Sequence, residues 1–357
     1  MSSSYAHLNL RGWPFSVVPS DQAAKDWVGR EEARRRFRSL LRTVNRVDTS
    51  RIVLLWASFG AGKTHALRHL KFLSQEQDNV RGLYVVTPRS IKSFVDLYRA
   101  VIEAAIAEGL IDDLGLALHR RLGPSGGATI LERSLIRLVA FSPRQSEPVL
   151  SWLRADKVGM RELRDVGISS RLETSADAIE TLDELIHLLR QEMGENLLLM
   201  LDEIQELGEL NPSRLDEAVG GLHKVFDRNT EGLTLILSFT TASQQTVARI
   251  IGETLYERRS ELLTLPPMSG EEGLEFVKGL IESWSIDPTE SPLPFQAQAI
   301  EAVVDQLSRE QGGEINPREL IRAFDAILRQ ADLDIDDGEI TWIDADYALR
   351  AVAGATS

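Results

Sequence analysis

Short runs that are apolar at nearly every position alternate along this chain with longer stretches in which apolar residues recur every three to four positions. The runs at 51–56 (R-I-V-L-L-W), 82–87 (G-L-Y-V-V-T), 196–201 (N-L-L-L-M-L), 233–239 (L-T-L-I-L-S-F) and 261–265 (E-L-L-T-L) predict five strands. A strand without polar alternation has to be covered on both faces, and helices between such strands imply parallel pairing. The expected core is therefore a three-layer α/β sandwich, with helices at 63–74 and 90–108 among its covers. From Ser269 onward the period becomes wholly helical, at 269–284, 294–311 and 317–330. Asn316-Pro317-Arg318-Glu319 is a helix start, with Asn as N-cap, Pro at the first position and Glu at the third. The stretch from about 110 to 175 is broken by G-P-S-G-G at 123–127 and by Ser142-Pro143, and reads as a helical insertion on the α/β core. The expected division is an entry segment with a basic helix (1–50), the core (51–268) and an all-helical C-terminal domain (269–357) that ends in an acidic tail. No repeat with a period of 20 to 50 residues is visible.

Composition narrows the chemistry. Over 357 residues, 43% are hydrophobic and 26% charged, the profile of a folded globular chain. With no cysteine, disulfides, thiolate metal sites and cysteine nucleophiles are excluded. His65 and His69 are spaced for one helix face, but no Glu follows His65, so the zincin pattern is absent. No apolar run is long enough to span a bilayer, and residues 1–7 lack a basic start followed by an apolar stretch; a cytoplasmic protein without a membrane partner is the expectation. The net charge of −14 argues against coating nucleic acid by bulk electrostatics. It hides a polarity: 27 Lys and Arg against 17 Asp and Glu up to residue 171, then 13 against 37. Such asymmetry suits a basic surface for a polyanion or the joining of unlike faces of successive subunits.

The sharpest chemical signal lies directly after the first strand. Ala57-Ser58-Phe59-Gly60-Ala61-Gly62-Lys63-Thr64 has the spacing and the strand-to-helix context of a phosphate-binding P-loop, with Ala57 where the consensus has Gly. In such a loop, backbone N–H groups at the helix N-terminus wrap phosphates, Lys63 reaches the β- and γ-phosphates, and Thr64 ligates Mg²⁺. His65, next in the chain, is counted with these nucleotide-binding residues. The third strand ends in Asp202-Glu203. The first acid is placed to hold the Mg²⁺, and the second to polarise a water for attack on the γ-phosphate, so the pair points to hydrolysis as well as binding. Finally, Arg34, Arg38, Arg42 and Arg46 recur at four-residue spacing while Phe37, Leu40, Leu41 and Val44 mark the opposite, core-facing side. An arginine ridge of this kind can track the phosphates of duplex DNA.

The order of these features resembles an AAA+ ATPase, and within that class the Orc/Cdc6 and TnsC/TniB/ExeA-type group. Trp13-Pro14-Phe15 followed by Trp27-Val28-Gly29-Arg30-Glu31 is similar to the entry segment of those proteins, which implies that Gly29 and Arg30 lie near the adenine. Tyr256-Glu257-Arg258-Arg259-Ser260 stands where the family places an arginine finger, so Arg258 or Arg259 is implied to act on a neighbouring subunit's nucleotide. Pro266 to Glu272 resembles the entry to the helical lid, and Asn316-Pro317-Arg318 the start of the sensor 2 helix, which implies Arg318 as a nucleotide sensor. Sensor 1 is implied after the fourth strand, where Ser238, Thr240 and Thr241 compete, with Thr240 central among them. Two departures stand out: Lys63 and Asp202 are 139 residues apart, longer than usual for the group, and no winged helix follows the lid.

Taken together, the expectation is a P-loop parallel-sheet ATPase with a helical lid and ATP and Mg²⁺ as cofactors. It would self-assemble into a ring or filament and act with protein partners, and through the Arg ridge with duplex DNA, in transposition, mobile-element control or phage defence. A STAND-like signalling or scaffold ATPase that gates a protein partner without touching DNA is the alternative. A small-molecule kinase fits poorly, because it needs neither the Asp-Glu strand end nor a helical lid.

Overall fold

The computed structural model describes residues 5–17, 23–240, 243–287 and 294–355. By their contacts these residues form two compact units that do not follow the linear order of the chain: one joins 1–36, 57–69 and 264–357, the other 37–56 and 70–263.

The second unit holds the sheet. Its strands are β1 (Arg51–Trp56), β2 (Val80–Val86), β3 (Asn196–Asp202), β4 (Leu233–Phe239) and β5 (Glu261–Thr264), in the order β2-β3-β4-β1-β5. The pairs β2/β3, β3/β4 and β1/β4 are parallel. Every residue of β3 and β4 is buried, and the alternation of the pleat divides them between two covers. Ile52, Leu54, Leu199 and Leu235 belong to the large core shared with the helices of one face. Val53, Leu198, Met200 and Ile236, the intervening positions, are equally inaccessible. On that side the amide of Asn196 donates to the carbonyl of Val44 at 3.0 Å, in α1 (Glu31–Arg46), which buries Phe37, Leu40, Leu41 and Val44. The three-layer α/β sheet is thus present as expected.

The helices that follow are α2 (Lys63–Ser74), α3 (Phe94–Ala107), α4 (Leu110–Leu122), α5 (Ile130–Ala140), α6 (Pro143–Leu153), α7 (Met160–Asp165), α8 (Ser175–Leu188), α9 (Pro212–Arg228), α10 (Gln244–Ile251) and α11 (Glu253–Glu257). The stretch read as an insertion carries α4 to α7. Three helices here begin with reciprocal capping boxes, at Ser93/Asp96, Thr129/Glu132 and Thr174/Asp177.

The first unit is built on α12 (Gly270–Trp284), α13 (Ala297–Glu310), α14 (Pro317–Asp336) and α15 (Ala345–Ala355). One expectation is corrected here. The described residues after the expected helix end at 330 are not a tail: α14 continues to Asp336, and α15 buries Ala348, Ala351 and Val352 in the helical core. The entry segment also belongs to this core. Phe15 is fully buried against Phe295 and Phe324, with ring centroids 6.3 and 5.5 Å away, and Trp13 Nε1 donates to Asp325 at 2.6 Å.

Candidate functional site

The phosphate-loop residues are described within the first unit. Gly60 and Gly62 have φ of +78° and +92°, in the region where only glycine is unstrained. A Cβ on Gly60 would lie 2.6 Å from Asn316 Oδ1. Ala57 is absent from the residues with positive φ and is buried, which explains why alanine suffices where the consensus has glycine. Lys63, only 5% exposed, folds its ammonium over the loop and donates to the carbonyls of Ala57 and Ser58 at 3.3 and 3.2 Å. Backbone N–H groups at two positive-φ turns followed by a helix N-terminus make a concavity for anions. Ser58 and Phe59 are exposed, Ala61 is buried, and Thr64 is partly buried in the first turn of α2.

Three side chains brace this loop. Asn316 caps α14, its Oδ1 accepting from Arg318 N at 2.9 Å, while its Nδ2 donates to the Phe59 carbonyl at 2.6 Å. Arg318 lays its guanidinium 4.5 Å from the centroid of the Phe59 ring, which is otherwise 66% exposed. Arg30 donates to the carbonyls of Ala61 and of Pro266, the latter at 2.7 Å. Burial pushes its guanidinium down to about 10, partly opposed by Glu272, so it stays cationic at neutral pH. Gly29 and Arg30 form consecutive left-handed turns, φ +66° and +50°, and the Gly29 carbonyl accepts from Trp27 Nε1 at 2.9 Å. The polar end of Arg30 is thus spent on two backbone carbonyls, a brace that the sequence did not reveal. His65 packs with Trp27 and His69. Burial foremost, then His69 and Arg30, pushes its imidazole down to about 4 against the pull of Asp26, and it is neutral at pH 7.

The acidic strand end lies in the second unit. The register pairs Trp56 with Phe239, Leu201 with Leu237 and Val86 with Asp202, so the carboxyl ends of the strands share one edge of the sheet. Asp202 is 1% exposed and accepts hydrogen bonds from Tyr84 Oη at 2.9 Å, from Ser238 Oγ at 2.8 Å and from the Glu203 amide at 3.0 Å. Glu203 takes φ +57°, ψ +38°, a conformation that costs a residue with a side chain energy and concentrates at functional positions. Its carboxylate accepts from Gln205 Nε2, and Gln205 Oε1 accepts from the Thr240 amide at 3.0 Å. Of the three sensor 1 candidates, Ser238 is committed to Asp202, and Thr241 lies outside the described residues. Thr240 Oγ1 is buried with no hydrogen-bond partner among the described residues.

The remaining candidates make local contacts of their own. Arg258 is exposed and paired with Asp227, whereas Arg259 stacks 4.0 Å from the centroid of Tyr256. On α1 the ridge needs one correction. Arg34 is half-buried and paired with Glu31 at 3.0 Å, so the exposed row is Arg35, Arg38, Arg42 and Arg46. The side chain turns aside because Glu31 sits one helical turn before it.

For a metal, the donors available match magnesium's preference for one or two carboxylates supplemented by water and phosphate oxygens. Asp202 in the second unit is a buried carboxylate and Thr64 in the first a hydroxyl, each a donor type that magnesium takes, and no cluster of three His, Asp or Glu suited to a resident cation exists among the described residues. No helix among them is long and apolar enough to cross a membrane.

Comparison with known proteins gives a consistent answer. The family model described as "AAA ATPase domain" matches residues 26–222, a span that holds Gly29-Arg30, the phosphate loop and Asp202-Glu203. Comparison with curated proteins finds no match. Among solved structures, the ORC2 protein of Aeropyrum pernix, in ADPNP and ADP complexes, aligns with TM-score 0.58 and 15% identity over 94% of this chain and 72% of that chain. The ORC1 protein of the same organism, in complex with DNA, gives 0.52 and 14%, over 96% and 69%. A Walker-type ATPase of Pyrococcus abyssi gives 0.52 and 17%, over 91% and 77%. At these identities the likeness is one of fold.

Proposed function

Because the chain belongs to the AAA ATPase domain family, we propose that it binds Mg-ATP through 57–64, hydrolyses it with Glu203 as general base, and in its ATP form assembles with itself and partner proteins in a DNA transaction. The observation that carries this reading is the acidic strand end: a buried Asp202 fixed by hydrogen bonds, followed at once by a strained, half-exposed Glu203. In this mechanism Lys63 and the loop amides take the phosphate charge, and magnesium, which would supply charge neutralisation, would take Thr64 and Asp202 as its protein ligands. Glu203 accepts a proton from the water whose oxygen forms the new bond to the γ-phosphorus. The bond to the bridging oxygen breaks, ADP leaves, and the proton departs with phosphate. Thr240, with its uncommitted hydroxyl, and Arg318 are the sensors, and Arg258 or Arg259 acts on the nucleotide of a neighbouring copy. Gly29 and Arg30 border the base, while His65, neutral and packed, supports the helix that carries Thr64.

The DNA part rests on this chain's own surface. Arg35, Arg38, Arg42 and Arg46 are exposed on one helix, and no salt bridge to any of them is found among the described residues. The pathways that fit are transposition, mobile-element control or phage defence. Turnover measured with and without duplex DNA over a salt series tests the whole. Stimulation that falls steeply with salt supports it. Turnover and assembly indifferent to DNA at low salt would shift the reading to a switch that gates a protein partner. Mixing Lys63→Ala protein with an Arg258→Ala/Arg259→Ala double variant tests the shared site: activity restored in the mixture supports a finger supplied by the neighbour, and its absence argues against it.

A further inference from the structure

Gln205 has no part in the mechanism above, yet its carboxamide joins the general base to a different strand. Its Oε1 accepts from the backbone amide of Thr240, just past the end of β4, at 3.0 Å. That bond fixes the sense of the amide, because only the oxygen can accept from an N–H, and so Nε2 must be the group that donates to Glu203. β4 therefore reaches both acids, through Ser238 to Asp202 at 2.8 Å and through Gln205 to Glu203. A glutamate side chain is long and freely rotating. It stands half-exposed on a left-handed residue, and the hydrogen bond from Gln205 selects among its rotamers. A donor to a carboxylate is about twice as strong as a neutral one, and here the donor is itself anchored on backbone.

We propose that Gln205 is a positioning residue for the general base, holding the Glu203 carboxylate in one orientation and tying that orientation to the end of β4. The inference rests on Glu203 being the base. Displacement of the β4 end, where Thr240 stands, would then be felt as a change in turnover and not in nucleotide affinity.

The test is ATP turnover, ATP affinity and the pH dependence of kcat for Gln205→Met, Gln205→Glu and Glu203→Gln. Methionine keeps length and volume and removes both hydrogen bonds, so kcat should fall about 10- to 100-fold, the cost of a misaligned group, with ATP affinity within about twofold of wild type. Glutamate at 205 keeps an acceptor for Thr240 but sets a second carboxylate beside the first. Two adjacent carboxylates resist being ionised together, so the acid limb of kcat should move to higher pH, a readout that a merely structural role would not shift. In a Glu203→Gln background, Gln205→Met should add no further loss. If Glu203→Gln is inactive while Gln205→Met turns over at the wild-type rate and the Gln205→Glu profile is unmoved, the positioning role is wrong and the base assignment stands. Wild-type turnover in Glu203→Gln would overturn the base itself. Should Gln205→Met lose ATP binding through misfolding, kcat and ATP affinity of Gln205→Glu decide: a fall in kcat with affinity kept supports the positioning role, and wild-type kcat overturns it.

Discussion

The phosphate loop and the acidic strand end differ in where their information resides. The loop is eight consecutive residues whose backbone would do the binding: its shape follows from glycine at 60 and 62 and from the helix that opens at Lys63, with Asn316, Arg318 and Arg30 as braces. The acid end is assembled from three separate stretches. Tyr84 comes from β2, Asp202 from the end of β3 with Glu203 and Gln205 in the turn after it, and Ser238 from β4 with Thr240 just past its end. A device made of backbone is written contiguously in the sequence, whereas a device made of converging side chains becomes visible only once the strand order is known.

That contrast assigns different failures to the two regions. The largest effect belongs to the acid end: Glu203→Gln keeps size and polarity but cannot take a proton, so kcat should drop by about 10² to 10⁴ with ATP affinity nearly unchanged. Steady-state turnover beside equilibrium nucleotide binding checks it. Removing the ammonium that spans the loop should do the reverse. Lys63→Ala is expected to weaken ATP binding by about 10²-fold, near 2.7 kcal/mol, and titration calorimetry that found equal affinities would defeat the loop assignment. A third variant separates support from chemistry. Ser238→Ala leaves the buried Asp202 with one donor fewer, which should cost about 1 to 3 kcal/mol of stability and appear in denaturant melts without nucleotide.

How much of this the sequence shows follows from the same contrast. The strands at 51–56 and 233–239 match to the residue, because an all-apolar run bounded by polar residues leaves no other solution. β2 starts two residues before the expected 82, since Val80 pairs with Asn196 in the ladder, and α3 starts at Phe94 where the Ser93/Asp96 capping box overrides the earlier polar residues. The resemblance to an AAA+ ATPase, legible from the order of motifs, is upheld by the family match over 26–222, while the likeness to the Orc proteins is one of fold. The alanine-rich α15 was not legible: its buried face is Ala348, Ala351 and Val352, too weak a hydrophobic signal beside so many acids. Trp13 and Phe15 read as a family hallmark, but their physical role is packing and hydrogen bonding within the helical core. Arg30, Tyr84 and Gln205 as braces were invisible, because each acts on a partner between 31 and 236 residues away that only the folded chain brings near.

The smallest effect concerns pH and belongs to the loop's helix. His65 is held neutral, its imidazole pushed down to about 4 chiefly by burial, and the first turn of α2 adds a helix dipole unfavourable to a cation. In the unfolded chain the same ring titrates near 6.5. Above that pH neither state is protonated and the residue leaves stability unaffected. As pH falls from about 6.5 toward 4, the unfolded chain binds a proton that the folded chain refuses, so stability declines; below 4 both states are protonated and the decline stops. Allowing for the ring's partial exposure, the loss between pH 7 and pH 5 should be on the order of 1 kcal/mol. His65→Gln, which cannot titrate, should be less sensitive by that amount. Chemical denaturation of the two proteins at pH 7, 6 and 5 measures the difference, and identical pH slopes for wild type and variant would mean that His65 is protonated as readily in the fold as in water.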